Sequence, residues 1–205
     1  VGVFVRDIKG LLESVSVVNR GAFERFYNLY YDQVFRFAYY CLGEKEACRE
    51  VVTDVFFSVW QSRKRLKDID NIDTYLYISV RNESFRFQAR NKDLNRVSLN
   101  ELLPLMEEED EGSPEEHLEL KEMREILDKA IDELPEKCRL VFLMSREEGL
   151  KTKEIAEILS VQESTVRVQM KIAIEKLVAR LKPSFPNISF SLLLMFIFNV
   201  IYRSA

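Results

Sequence analysis

Three observations predict an all-α protein, with two small helical domains joined by an acidic flexible linker, the C-terminal one a helix-turn-helix. Apolar residues recur at three- and four-residue spacing along most of the 205-residue chain. Glycine and proline are scarce, at 6 and 5 residues, and no alternating strand pattern stands out. Between two basic stretches lies the acidic run Glu101–Glu125, punctuated by Pro104, Gly112, Ser113 and Pro114 and too poor in apolar residues to form a core. These features set an N-terminal extension at 1–20, a first domain at 21–96, the linker at 97–118, a second domain at 119–182 and an apolar tail at 183–205.

The elements follow in order. Phe23, Phe26, Tyr30, Val34, Phe37 and Ala38 place one apolar face on a helix from Ala22 to Leu42. Val51, Val52, Val55, Phe56 and Val59 do the same for a second helix, Lys45 to Ser62. After the polar break Asp68–Asp73, a third helix runs from Thr74 to Asn91. It mixes Tyr75, Tyr77, Phe85 and Phe87 with Arg81, Asn82, Arg86, Gln88 and Arg90. Most aromatics of this half are core residues, yet rings beside cations are also what unpaired bases need, through stacking and phosphate neutralisation.

In the second half, Lys153–Leu159 sets Ile155, Ile158 and Leu159 on one face, with Ala156 small enough for close helix contact. Ser160–Val161 makes a short turn, and Ser164 or Thr165 can cap the next helix. That helix is expected to bury Val166, Met170, Ala173, Ile174 and Leu177, and to leave Glu163, Arg167, Gln169 and Lys171 outside. Such a pair can insert its second helix into a DNA major groove. A plain helical hairpin with a solvated face is the alternative.

The net charge of −4 argues against nucleic acid, but the distribution of that charge argues for it. Basic residues prevail over Arg63–Arg96 and again over Lys151–Lys182, with acidity concentrated between them. The three cysteines form no CxxC pair, and the single His117 stands in an acidic run. No metal, cofactor or disulfide framework is therefore expected, and a reducing cytoplasm fits. No nucleophile motif or glycine-rich phosphate loop is present, so no enzyme is expected. Arg6, Asp7 and Lys9 interrupt the apolar start, so no secretory leader is expected either.

Three motifs in order carry a resemblance: EVVTDVFFSVW (Glu50–Trp60), NIDTYLYISVRNESFR (Asn71–Arg86) and the segment from Leu134 to Leu177 that opens on Leu-Pro and contains the helix-turn-helix. Together they resemble regions 2 and 4 of the extracytoplasmic-function sigma factors of bacterial RNA polymerase. The resemblance implies that Asp54, Val55 and Phe56 dock on core RNA polymerase. It implies that Lys67, Asp68 and Asn71 capture a flipped base of the −10 element of promoter DNA, with Tyr75, Arg81, Asn82 and Arg86 on the non-template strand. Ser164, Thr165, Arg167, Gln169 and Lys171 then fall where the −35 element is read. It also implies an anti-sigma factor as partner, in a form that includes a membrane-bound one, and a linker that threads the RNA exit channel. Thr53 and Ser160 depart from the family's usual glutamine and glycine. The runner-up is a conventional helix-turn-helix regulator that binds intact duplex without polymerase.

The tail from Ile188 to Tyr202 is apolar and uncharged over about fifteen residues, short of the roughly twenty that a membrane span needs. Three roles stay open for it: packing on the second domain, docking to a partner, and anchoring at a membrane surface.

Overall fold

The computed structural model describes residues 7–91 and 125–185, together with 189 and 195. Every regular element among them is helical. The chain divides into two compact units, Val1–Arg96 and Val97–Ala205. The acidic run expected to link the domains, and most of the tail, lie outside the described residues.

Unit 1 begins with a helix in the stretch read as an N-terminal extension. This helix, α1 (Ile8–Ser16), buries Leu11, Leu12 and Val15. Its cap explains its glycine: the Asp7 carboxylate accepts from the Gly10 N–H at 2.7 Å. A Cβ on residue 10 would collide with that carboxylate, so any other residue there would push the Asp7 cap out of place. Helix α2 (Arg20–Leu42) is capped by Asn19 and stops at Gly43, whose φ of 71° suits glycine. Helix α3 (Lys45–Gln61) is capped by Glu44. A 3-10 helix (Arg63–Asp68) leads to α4 (Ile72–Arg90), whose N-cap Asn71 accepts from the Thr74 N–H at 3.0 Å.

The core of unit 1 is aromatic because α2 places Phe26, Tyr30, Val34 and Phe37 along one stripe. Phe26 is fully buried and meets Phe23, Tyr30 and Phe56 at centroid separations of 6.1, 4.9 and 6.2 Å. Phe37 lies edge-on to Tyr77 at 4.7 Å, and the Tyr77 hydroxyl accepts from Gln33 Nε2 at 2.7 Å. Tyr77 and Phe87 are thus core residues of α4, not part of a stacking face, because the turn-by-turn spacing from Val80 carries both inward.

Unit 2 comprises helical residues 125–132 (α5), α6 (Glu136–Arg146), α7 (Thr152–Leu159) and α8 (Glu163–Leu181). Phe142, Ile155, Ile158, Val166, Ala173 and Leu177 are buried, and Ala156 is 6% exposed where α7 meets α8. The Arg180 guanidinium grips Glu133 at 2.8 and 3.2 Å, tying the end of α8 to the turn after α5. That bond holds the Glu133 carboxyl below its ordinary value.

The turn between α7 and α8 is closed by backbone. The N–H groups of Ser160 and Val161 donate to the carbonyls of Glu157 and Ala156 at 3.1 and 3.0 Å, the double bond of a Schellman ending. Ser160 holds the left-handed conformation there, φ 54°, ψ 47°. Ser160→Gly is expected to remove the Cβ strain and, net of the added chain entropy, stabilise unit 2 by about 0.5–1 kcal/mol. Slower hydrogen exchange at the α7 and α8 amides is the readout.

Candidate nucleic-acid interface

The first surface is the leading half of α8. Gln162, not Ser164 or Thr165, is its N-cap, and no side chain caps it. The left-handed Ser160 ends α7 early enough for the new helix to start at Glu163, which puts Ser164 inside it. The Ser164 hydroxyl donates to Gln162 Oε1 at 3.4 Å. Ser164, Arg167 and Lys171 are exposed, while Thr165 and Gln169 are half-buried. Arg167 pairs with Glu163 at 2.8 Å and Lys171 with Glu175 at 3.8 Å. Both are solvent-facing pairs one helical turn apart, of a kind worth about 0.3–0.5 kcal/mol. A phosphate can displace either carboxylate at little cost.

Met170 and Ile174, expected in the core, are only half-buried, because α6 and α7 leave that arc of α8 uncovered. Val168 on the opposite side is 56% exposed.

The second surface is the outer face of α4 with the 3-10 helix before it. Lys67 and Asp68 sit on that 3-10 helix and are exposed, not on an irregular loop. Asn71 is exposed too, but its side-chain oxygen is spent on capping α4. Tyr75 is half-buried, its hydroxyl 3.4 Å from the Ser62 hydroxyl. Arg81 donates from Nε and Nη2 to Asn82 Oδ1 at 3.1 and 2.6 Å. Arg86 pairs with Glu83 at 3.1 Å, and Arg90 reaches the same carboxylate at 3.4 Å. Phe85 is 54% exposed. It lies four residues after Arg81 and three after Asn82, so the ring shares their face of the helix. Of the four aromatics singled out on this helix, Phe85 is the exposed one.

The third surface is the outer face of α3. Val55 and Phe56 are 2% and 4% exposed, packed into the unit 1 core, and cannot touch a docking partner. Asp54 is half-buried, and Phe57 is 59% exposed. Phe57 was legible: Val52, Val55, Phe56 and Val59 define the inward stripe, and Phe57 lies off it. The Thr53 hydroxyl donates to its own helix, to the Arg49 carbonyl at 2.7 Å. At the end of α3 the Arg63 guanidinium stacks 4.7 Å above the Trp60 ring and donates to its carbonyl at 2.9 Å.

The described part of the chain offers little chemistry of other kinds. Cys41, Cys48 and Cys138 are buried free thiols, and burial pushes Cys48 up to about 12, which makes it unreactive. Among the described residues no group of three or more His, Cys, Asp or Glu side chains is arranged to hold a metal ion. None of the described helices is long and apolar enough to cross a membrane.

The chain matches the family model of Sigma-70 region 2 over residues 26–93 and that of Sigma-70, region 4 over residues 124–177. The two matches together cover more than half of the chain. It is 28% identical over 140 residues to the RNA polymerase sigma factor FliA of Yersinia enterocolitica, an alignment that takes in 68% of this chain and 55% of that protein. The chain thus spans about half the length of that curated relative. Among solved structures, CnrH in complex with the cytosolic domain of CnrY superposes with a TM-score of 0.56, covering 85% of this chain and 97% of CnrH at 18% identity. That likeness is one of fold.

Proposed function

From a chain that belongs to the sigma-70 family, with region 2 and region 4 of that family both present, we propose an RNA polymerase sigma factor of the extracytoplasmic-function type. It binds core RNA polymerase, recognises the −35 and −10 elements of a promoter, and promotes strand opening by binding, not by catalysis. The observation that carries this reading is the order of surfaces in one chain: an α4 face with Phe85 beside Arg81, Asn82 and Arg86, then a helix-turn-helix with Arg167 and Lys171 on its second helix.

Each surface has a distinct task. The leading turns of α8 enter the major groove of the −35 element, where Arg167 and Lys171 exchange their glutamates for phosphate or base edges. On α4, Phe85 supplies a ring on which an unpaired −10 base stacks, and Arg81 and Arg86 neutralise the adjoining phosphates. Lys67, Asp68 and Asn71 flank the flipped base. Stacking of about 1–3 kcal/mol per base offsets the few kcal/mol that unstacking costs. Core polymerase docks on the outer face of α3 through Asp54 and Phe57. Phe57→Ala is expected to weaken core binding about tenfold or more, as truncation of an exposed aromatic anchor does, with the fold of unit 1 unchanged by circular dichroism.

The protein works in the cytoplasm with polymerase, and an anti-sigma protein restrains it. CnrH, of similar fold, is seen in complex with the cytosolic domain of CnrY, which supports a partner domain of that sort here. Run-off transcription from a library of random upstream sequences tests the whole reading. Core enzyme plus this chain is expected to yield transcripts whose templates share two spaced sequence blocks. Phe85→Ala is expected to reduce opening, seen as permanganate-reactive thymines, while leaving duplex binding by the C-terminal unit intact. Transcripts no more frequent than with core enzyme alone would refute it.

A further inference from the structure

An open, mostly apolar groove of ≈ 490 Å³ runs beside α8, lined by Ile155 of α7 and by Val166, Met170 and Ile174 of α8, with Arg167, Lys171 and Glu175 among its polar lining. Met170 and Ile174 are half-exposed there, an uncovered apolar arc next to the surface assigned to DNA. We propose that this groove is the docking site of the chain's own apolar tail, residues 188–202.

Composition and reach support that occupant. Residues 188–202 include no charged side chain, which suits the apolar part of the lining formed by Ile155, Val166, Met170 and Ile174. At about fifteen residues the run falls short of the roughly twenty that would carry it across a bilayer. Beyond α8 the chain turns, the N–H groups of Ser184 and Phe185 donating to the Leu181 carbonyl at 3.0 and 3.1 Å. Ile174 lies about 10 Å back along α8 and Val166 about 22 Å, distances that the stretch of chain from 186 to 202 is long enough to span. A tail that doubles back therefore reaches the whole groove. Met195, the one described position within the apolar run apart from Ser189, is helical and 57% exposed.

The test uses the full chain with p-benzoylphenylalanine in place of Phe196, irradiated and mapped by mass spectrometry. Cross-links within a single chain to Met170 or Ile174, independent of protein concentration and reduced severalfold by Met170→Glu, are the expected result. Cross-links between two chains that grow with concentration would assign the tail to a second copy and overturn the proposal. Cross-links to lipid in phosphatidylethanolamine–phosphatidylglycerol vesicles, with none to α8, would overturn it in favour of a membrane surface. Methyl NMR gives a second reading. The Met170 and Ile174 signals are expected to shift when the chain is ended at Phe185, and unchanged signals would contradict docking. Neither readout involves DNA or polymerase, so the outcome is separate from that of the sigma-factor reading.

Discussion

Replacing Arg167 and Lys171 together by alanine is expected to weaken binding to the −35 duplex roughly 10- to 100-fold, from about 1–3 kcal/mol per lost base contact and less for a phosphate contact. The two side chains stand exposed on the leading turns of α8, each held only by a solvent-facing glutamate. If both reach phosphates, the slope of log affinity against log salt falls by about 2, measured by fluorescence anisotropy between about 50 and 200 mM salt. If Arg167 reads a guanine instead, the slope falls by about 1 and discrimination at one base pair collapses. Glu163→Gln should act in the opposite sense and raise affinity, because it removes the carboxylate 2.8 Å from Arg167. Unchanged affinity in the double variant would remove α8 from the DNA interface.

Phe26→Ala is expected to destabilise unit 1 by about 3–5 kcal/mol, the usual cost of emptying a buried phenylalanine site. The ring is fully buried and meets aromatic neighbours on α2 and α3, which cannot collapse into the space without breaking their own packing. Such a loss is a large part of the roughly 5–15 kcal/mol that holds a domain folded. Trp60 is the one tryptophan of the chain and lies 4.8 Å from Phe23 at the rim of the same core, so its fluorescence reports unit 1 alone. Urea titration should show the midpoint falling sharply. Phe57→Ala, on the solvent side of α3, should leave the midpoint nearly in place.

These two variants also mark where the sequence was informative. Periodicity placed α2, α3 and α4 to within two residues because their apolar stripes are long, broken on α4 only by Thr74 and Ser84. The short α1 escaped because Gly10 and nearby charges break its pattern, and the glycine serves a cap that only coordinates reveal. On α3, Val55 and Phe56 were assigned to docking by their place in a motif, although helical phase puts them inside and Phe57 outside. On α8 the expected serine or threonine cap yielded to Gln162, since the left-handed Ser160 sets where the helix starts. The groove had no sequence signal: Met170 and Ile174 are apolar and correctly phased, and only the span of α6 and α7 decides how much of α8 is covered.

Equilibrium binding to purified core RNA polymerase, in competition with the housekeeping sigma factor, tests the central claim most directly. The sigma-factor reading predicts saturable binding that the competitor displaces and that Phe57→Ala weakens about tenfold. Absence of core binding, alongside tight binding to intact duplex by the chain alone, would contradict it and make the protein a free-standing regulator.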